Sequence, residues 1–532
     1  MTIKKSDYAQ IIGNINIGNS IAEDDFLLES ARVETPVFKG VIEDKYDIVL
    51  GRKGAGKTAI FKLVNLLSEH LLSRDNLVIL SGVNSSGESL FNKFKEQFKD
   101  YSEEDFENFW KLYFINLIYN QFLKEPKFEK KLETCEKEIK DFKSACYKAG
   151  IPDIKSIQGM QAILAWSVNA LKSVKLKVPI SYDAKNQTLF ALPELKIEKG
   201  VNKEDGLSET KSLYVHDIGF ALGKILHKSG FHIWIILDRL DEVFDRYSAE
   251  EFNGLRGLLR AYKSFDIGVE GNFRIKLFLR DDIKSFLTDA KSYEKHFPKK
   301  ELPPLVAATH IFSKESPTLS WSEDEIEQLI LNRLLLGLNI QLRDYLGINE
   351  KYVGLKKSEI DKKLEEELRN KQSRKEYWNK IFPSKISSTD SSLKWIFSHL
   401  KDSNDIVTPR SVIDMLEGAI NFQKQKMQTD FQDSSVVFPI ESIKAGLDIA
   451  SEHKLLKDIY NEFPKEQGYI KLLSKEGQFK LSKSDLERLF GKDWENIVTT
   501  LRKIGILRYV KNSEEFRIVH LFRPALGVSY RY

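Results

Sequence analysis

Gly51, Gly56, Lys57 and Thr58 satisfy the spacing G-x-x-x-x-G-K-[ST] inside the stretch DIVLGRKGAGKTAIFKLV. Residue types in this order suit the cradling of a chain of phosphates. Glycines let the backbone turn its N–H groups inward onto phosphate oxygens, and a helix N-terminus adds the positive end of its dipole. In that arrangement Gly51, Arg52, Lys53, Gly54, Ala55 and Gly56 form the cradle. Lys57 reaches the β- and γ-phosphates, and the Thr58 hydroxyl is a ligand for Mg2+. The expected ligands are thus a nucleoside triphosphate and Mg2+.

A phosphate loop of this kind needs a metal-holding carboxylate at the end of a neighbouring buried strand. In FHIWIILDRLDEVF, residues 233–237 are continuously apolar, as in a central parallel strand, and Asp238 follows them. Asp238 is the expected Mg2+ ligand, through water. Asp241 and Glu242 come next, and either can orient or deprotonate the attacking water; the same acids also suit a first helical turn. A third strand, FRIKLFL, alternates around Lys276 and Phe278 and ends at Arg280. An arginine there senses the γ-phosphate, or pairs with Asp281 or Asp282. Arg256 and Arg260, four apart on one helix face, either reach a neighbouring subunit's nucleotide or form a solvated basic face. NKED at 202–205 matches the guanine-reading N-K-x-D pattern, but it precedes the acidic motif in a polar stretch. ATP is therefore expected rather than GTP.

These residues call for particular elements. Residues 46–50 are β-branched and apolar, a buried strand, and Ile60, Leu63, Val64, Leu67 and Leu71 recur at helical period. The expected fold class is α/β: a P-loop core with a parallel sheet, then a helical lid and a C-terminal winged-helix-like domain. The expected boundaries are an N-terminal segment at 1–45, the core at 46–315, the lid at 316–425 and the last domain at 426–532. The core carries an insertion at about 120–205. It is introduced by FENFWKLYFINLIYNQFL, which reads as an amphipathic helix, and ends in a hairpin around an Asp-Ala-Lys-Asn turn.

In the last domain, SEHKLLKDIYNEF, SKSDLERLFG and DWENIVTTLRKIGIL read as helices, the second capped by Ser482 or Ser484. LRYVKNSEEFRIVHLF reads as a two-stranded wing around Asn512 and Ser513. From 471 to 532 there are 13 Lys and Arg against 7 Asp and Glu, a local charge of +6. Asn496, Thr499, Thr500, Arg502 and Lys503 form the exposed face of the third helix. That face suits a DNA groove, with Lys511 and Arg508 on phosphates; the alternative is packing on the core or on protein.

The bulk composition sets the frame. A chain of 532 residues exceeds one core, so two to four domains are expected. A net charge of +4 excludes a strongly polybasic protein but not a local basic face. Two cysteines, Cys135 and Cys146, allow neither a disulfide framework nor a zinc site. No apolar run reaches a membrane span, and the first residues lack a signal-peptide core. A reduced, cytoplasmic chain is expected, without a membrane partner. Its nine histidines show no metal spacing, and no nuclease, protease or deaminase constellation is visible.

Together, LGRKGAGKTAI, IILDRLDEVF and LFLRDDI resemble the STAND/AAA+-like class of P-loop ATPases. More narrowly, the chain is similar to a bacterial group of poorly characterised P-loop ATPases first described from a cyanobacterial protein. NSIAEDDFLLESARVETPVFKGVIEDK, LSWSEDEIEQLILNRLL, IVTPRSVIDMLEGAI and FRIVHLFRPALGVSYRY extend the similarity across most of the length. The resemblance implies a nucleotide-driven core, a helical lid and homo-oligomers. It also implies that Pro409 lies near the adenine and Arg410 near the phosphates, as in a sensor-2 region. Residue chemistry adds that a proline suits a helix's first turn and that Thr408 caps it. Three functions follow as expectations. The first is an ATPase whose cycle acts on a partner, DNA or an effector protein, in bacterial defence or DNA transactions. The others are a slow nucleotide-gated switch recruiting an effector, and a DNA-binding regulator.

Overall fold

Runs of β-branched and apolar residues become the strands: Ile48–Leu50 (β1), Leu77–Gly82 (β2), Ile180–Asp183 (β3), Thr188–Ala191 (β4), His232–Leu237 (β5), Phe273–Leu279 (β6), Lys480–Leu481 (β7), Leu507–Val510 (β8) and Glu515–Ile518 (β9). The computed structural model describes residues 5–82, 98, 101–148, 167, 180–183, 188–191, 207–242, 247–266, 272–305, 308–337, 339–429 and 434–528. The NKED stretch and the turn between β3 and β4 lie outside them. β3 and β4 pair antiparallel, Ile180 opposite Ala191.

By its contacts the chain forms two compact units. One comprises Pro36–Arg52 and Ile60–Thr318; the other comprises Met1–Thr35, Lys53–Ala59 and Leu319–Tyr532. The first unit is built on a parallel sheet of order β1-β6-β5-β2. Ile48 is in register with Leu277, and Ile233 with Phe273, so β6 lies between β1 and β5.

The alternation around Lys276 reads as a half-buried strand, but a strand between two parallel neighbours is covered on both faces. Lys276 is accordingly buried completely. Its ammonium meets Asp47 at 2.7 Å and Asp44, and sits 4.2 Å from the centre of the Trp234 ring. Asp47 also accepts the Tyr262 hydroxyl at 2.8 Å. Pairing makes the buried charge tolerable, and it ties the start of β1 to its neighbour.

The helix Glu103–Ile118 corrects a second expectation. It is not amphipathic: Phe106, Asn108–Trp110 and every residue from 112 to 118 are buried. A helix with so wide an apolar surface belongs to a core, and its Glu103, Glu107 and Lys111 are held in ion pairs. It crosses Ala249–Asp266 at Gly257, where an added Cβ would stand 2.5 Å from the Phe106 Cβ and 2.8 Å from the Glu107 nitrogen. Trp110 donates to the Gly254 carbonyl at 2.9 Å across the same contact.

The second unit is mostly helical. Glu323–Leu335 opens with a capping box between Ser322 and Glu325. Pro409–Thr429 packs on Ile440–His453, glycine to backbone: a Cβ on Gly446 would lie 2.2 Å from the Met415 carbonyl. After this pair come Gln467–Glu476, β7, Lys483–Phe490, Trp494–Ile504, β8 and β9, with β7-β9-β8 as an antiparallel sheet. Ser482, not Ser484, caps Lys483–Phe490, accepting from the Asp485 nitrogen at 3.2 Å. The fold is an α/β P-loop core followed by a mainly helical C-terminal region. No helix among the described residues is long and apolar enough to cross a membrane.

Candidate nucleotide-binding site

The loop's geometry follows from its glycines. Gly54 has φ +78° and Gly56 φ +106°, conformations costly for any residue with a Cβ. Gly51 donates to the Leu279 carbonyl at 3.2 Å, which joins the loop's first residue to β6. The helix Lys57–Leu66 begins immediately after Gly56. Its first N–H groups have no intrahelical acceptors, the feature that suits a helix start to an anion.

In the second unit the loop rests on the start of another helix. A Cβ on Gly54 would stand 3.4 Å from the Arg410 Cβ and 3.6 Å from the Thr408 hydroxyl. One on Gly56 would stand 3.7 Å from the Trp321 ring and 4.0 Å from the Pro409 Cγ. Trp321 donates through Nε1 to the Ala55 carbonyl at 2.9 Å. Pro409 is the first residue of its helix, and Thr408 accepts from the Ser411 nitrogen at 3.4 Å as the cap. Pro409 and Arg410 therefore stand against the glycines of the loop. Trp321 belongs to the same cluster, and the sequence offers for it only a tryptophan before a capping serine.

One carboxylate was not legible at all. Asp458 accepts from Arg410 Nη1 at 3.1 Å and pairs with Lys454 at 2.9 Å and with Lys53 at 3.7 Å. Burial alone would raise its pKa, but Lys454, Arg410 and Lys53 together hold it below the usual carboxylate value. Lys53 also meets Glu462 at 3.4 Å.

In the first unit, Gly51, Asp238 and Arg280 follow the C-terminal ends of β1, β5 and β6, so they line one edge of the parallel sheet. Ligands of such sheets bind along that edge. Asp238 is buried, at 3% exposure. Arg239 takes a left-handed φ of +57°, strained for a non-glycine residue and common beside active sites. It starts the short turn Leu240–Glu242, and its Nη1 lies 3.6 Å from Glu242. Arg280 donates to both Asp282 oxygens at 3.0 and 3.1 Å and to Asp241 at 3.4 Å. Asp282 is thus one of the two partners foreseen for it; Asp241 was not foreseen.

Two further arginines have other duties. Arg256 is 1% exposed and binds Glu103 at 2.6 Å and the carbonyls of Leu287, Pro303 and Pro304. It buttresses the helix packing and is neither a finger nor a solvated face. Arg260 is paired with Glu107 at 2.8 Å. In the C-terminal region Asn496, Thr499, Arg502 and Lys503 are exposed and Thr500 half-buried. Arg508, expected on phosphates, instead donates to the Asp402 carbonyl at 2.9 Å and to Asp405 at 3.0 Å.

Among the described residues no group of three His, Cys, Asp or Glu could hold a metal by itself. Mg2+ in a phosphate loop does not need one, since phosphates and waters supply most of its oxygens. A hydroxyl, such as that of Thr58, and a carboxylate, such as that of Asp238, are each the kind of hard oxygen donor that Mg2+ prefers.

No protein-family model matches the chain, and no curated protein does. Among solved structures it is similar to the Aeropyrum pernix ORC2 protein. The ADPNP–ADP complexes share 14% identity over 93% of this chain and 92% of that one, with a TM-score of 0.41. The ADP form shares 13% over 98% and 96%, with a TM-score of 0.31.

Proposed function

We propose that this chain binds and hydrolyses ATP, in the manner of a STAND/AAA+-like P-loop ATPase, and couples the cycle to a second copy of itself or to a partner. One observation carries the reading: two glycines at positive φ stand directly before a helix that begins with Lys57 and Thr58. Lys57 holds the β- and γ-phosphates, and the loop N–H groups from Lys53 to Gly56 close around them. Thr58 and Asp238 would hold Mg2+, which neutralises charge developing on the phosphate oxygens. Asp241 or Glu242 orients the water, Arg280 faces the terminal phosphate, and Pro409 and Arg410 flank the nucleotide from the lid.

The partner reading rests on the order helix, strand, helix, helix, strand, strand between 467 and 518, which supports a winged helix. Its exposed Arg502 and Lys503 suit duplex DNA; an effector protein is the other partner class. A cytoplasmic setting and a place in bacterial defence or DNA transactions belong to the same reading, together with the bacterial group the motifs resemble. A slow nucleotide-gated switch is the second reading. It is favoured by the arginines paired to both candidate water-handling carboxylates.

Steady-state ATP hydrolysis by the full chain, with and without duplex DNA, tests this. The parent turns over ATP, and Lys57→Ala loses at least about 10²-fold of that rate. Stimulation by DNA supports the coupled ATPase. Full activity in Lys57→Ala sinks the assignment. Tight binding with little turnover in either condition favours the switch.

A further inference from the structure

The loop's chemistry does not account for Asp458. It is 3% exposed and sits on a π-turn, Lys454–Ile459, that continues the helix Ile440–His453. Such turns break the regular hydrogen-bond ladder and recur at functional positions. Three cations converge on this carboxylate: Lys454 at 2.9 Å, Arg410 at 3.1 Å and Lys53 at 3.7 Å. Two of them belong to the proposed nucleotide site. Lys53 lies within the glycine loop, and Arg410 packs its Cβ against Gly54. Arg410 also has a buried Nε with no hydrogen-bond partner among the described residues. A guanidinium with one nitrogen engaged and its Nε unmet is half-committed, and buried donors are normally satisfied.

We propose that Asp458 is a positioning residue that competes with the phosphates of a bound nucleotide for Lys53 and Arg410. The proposal rests on the ATP-binding reading above. A carboxylate and a phosphate make the same demand on a guanidinium, two aligned N–H donors onto paired oxygens. Arg410 cannot meet both anions fully with one set of donors. Asp458 is buried and its two partners are partly so, and such charges are screened less than fully exposed ones. Linkage makes it reciprocal: as far as Asp458 weakens nucleotide binding, nucleotide weakens the hold of the Asp458 helix on the loop. Phosphate occupancy is thereby relayed into the helices that precede Gln467–Glu476 and the β7-β9-β8 sheet. Lys454 is the counterweight, because it satisfies Asp458 from its own helix at i,i+4.

The test is equilibrium titration of the full chain with fluorescent ATP and ADP analogues. Asp458→Asn removes the competing charge and binds the ATP analogue at least about fivefold tighter, within the range of such couplings, with a smaller gain for ADP. Asp458→Glu, which keeps the charge, binds like the parent. Lys454→Met leaves the carboxylate only Lys53 and Arg410, so it moves affinity the opposite way. A purely structural role predicts weaker binding in Asp458→Asn; unchanged or weaker ATP affinity in that soluble variant overturns the proposal. If it does not fold, Lys454→Met decides, and unchanged or tighter binding there is equally fatal. A parent that binds no nucleotide overturns the ATP reading and this inference with it. Parent binding that Lys57→Ala abolishes, with no Asp458 effect, overturns this inference alone.

Discussion

Two carboxylates follow Asp238, and their surroundings differ. The Asp241 side chain is 25% exposed and touched by Arg280, an arginine already bidentate to Asp282. The Glu242 side chain is 47% exposed and its contact with Arg239 is long, at 3.6 Å. A base must reach water, and the greater exposure of the Glu242 side chain favours it. Glu242→Gln should lower ATP turnover by about 10²-fold or more and leave nucleotide affinity within about twofold. Asp241→Asn should act through Arg280 and cost less. Single-turnover hydrolysis beside nucleotide titration separates the two, and a larger loss in Asp241→Asn would reverse the assignment. The residues of this site were readable where their role depends on immediate neighbours. Gly54, Gly56, Lys57 and Thr58 fall within five residues, and Asp238 and Arg280 each follow a strand pattern. Asp458 was not readable: a single Asp in a helix has no local signature, and its partners Lys53 and Arg410 come from elsewhere in the chain.

The elements that carry Arg410 and Asp458 are two helices locked by glycine. Gly418 would bring a Cβ to 2.8 Å from Ile449, and Gly446 one to 2.2 Å from the Met415 carbonyl. Backbone cannot retreat as a flexible side chain can, so Gly446→Ala should destabilise the chain by about 1–3 kcal/mol, as overpacking does. A lower thermal midpoint and a lower urea midpoint with unchanged slope check this; an unaltered midpoint would mean that the helices slide freely. Elements with strong periods were legible, among them β5 and the start of the helix at Lys57, although the single period through Leu71 is split into Lys57–Leu66 and Ser68–Asp75. The cap at Ser482 or Ser484 was decided only by the structure. Elements without such periods were not legible. β7 has two residues and no period, and Gln467–Glu476 was passed over beside longer helices. Glu103–Ile118 was misread because aromatic residues on every side imitate a broad apolar face until the partner helix is seen.

At the scale of the molecule, charge is unevenly spread. The chain carries +4 overall, yet residues 471–532 alone carry +6. A basic region of that kind binds polyanions by releasing counterions, so its affinity falls with salt, with a slope set by the number of phosphates met. The structure sorts the cations that earlier looked alike. Arg502 and Lys503 are exposed at the end of Trp494–Ile504, whereas Arg508 is spent on Asp402 and Asp405. If the C-terminal region meets duplex DNA, Arg502→Ala and Lys503→Ala should each weaken binding across unrelated sequences and lower the salt slope by about one. Arg508→Ala should leave that slope unchanged, because the contact it loses lies within the protein. Fluorescence anisotropy of a labelled duplex over a salt series measures all three. A slope that falls for Arg508→Ala but not for the other two would place the DNA face on the wing strands instead. No salt-dependent binding in the parent would leave a protein as the partner, recruited through the same exposed helix.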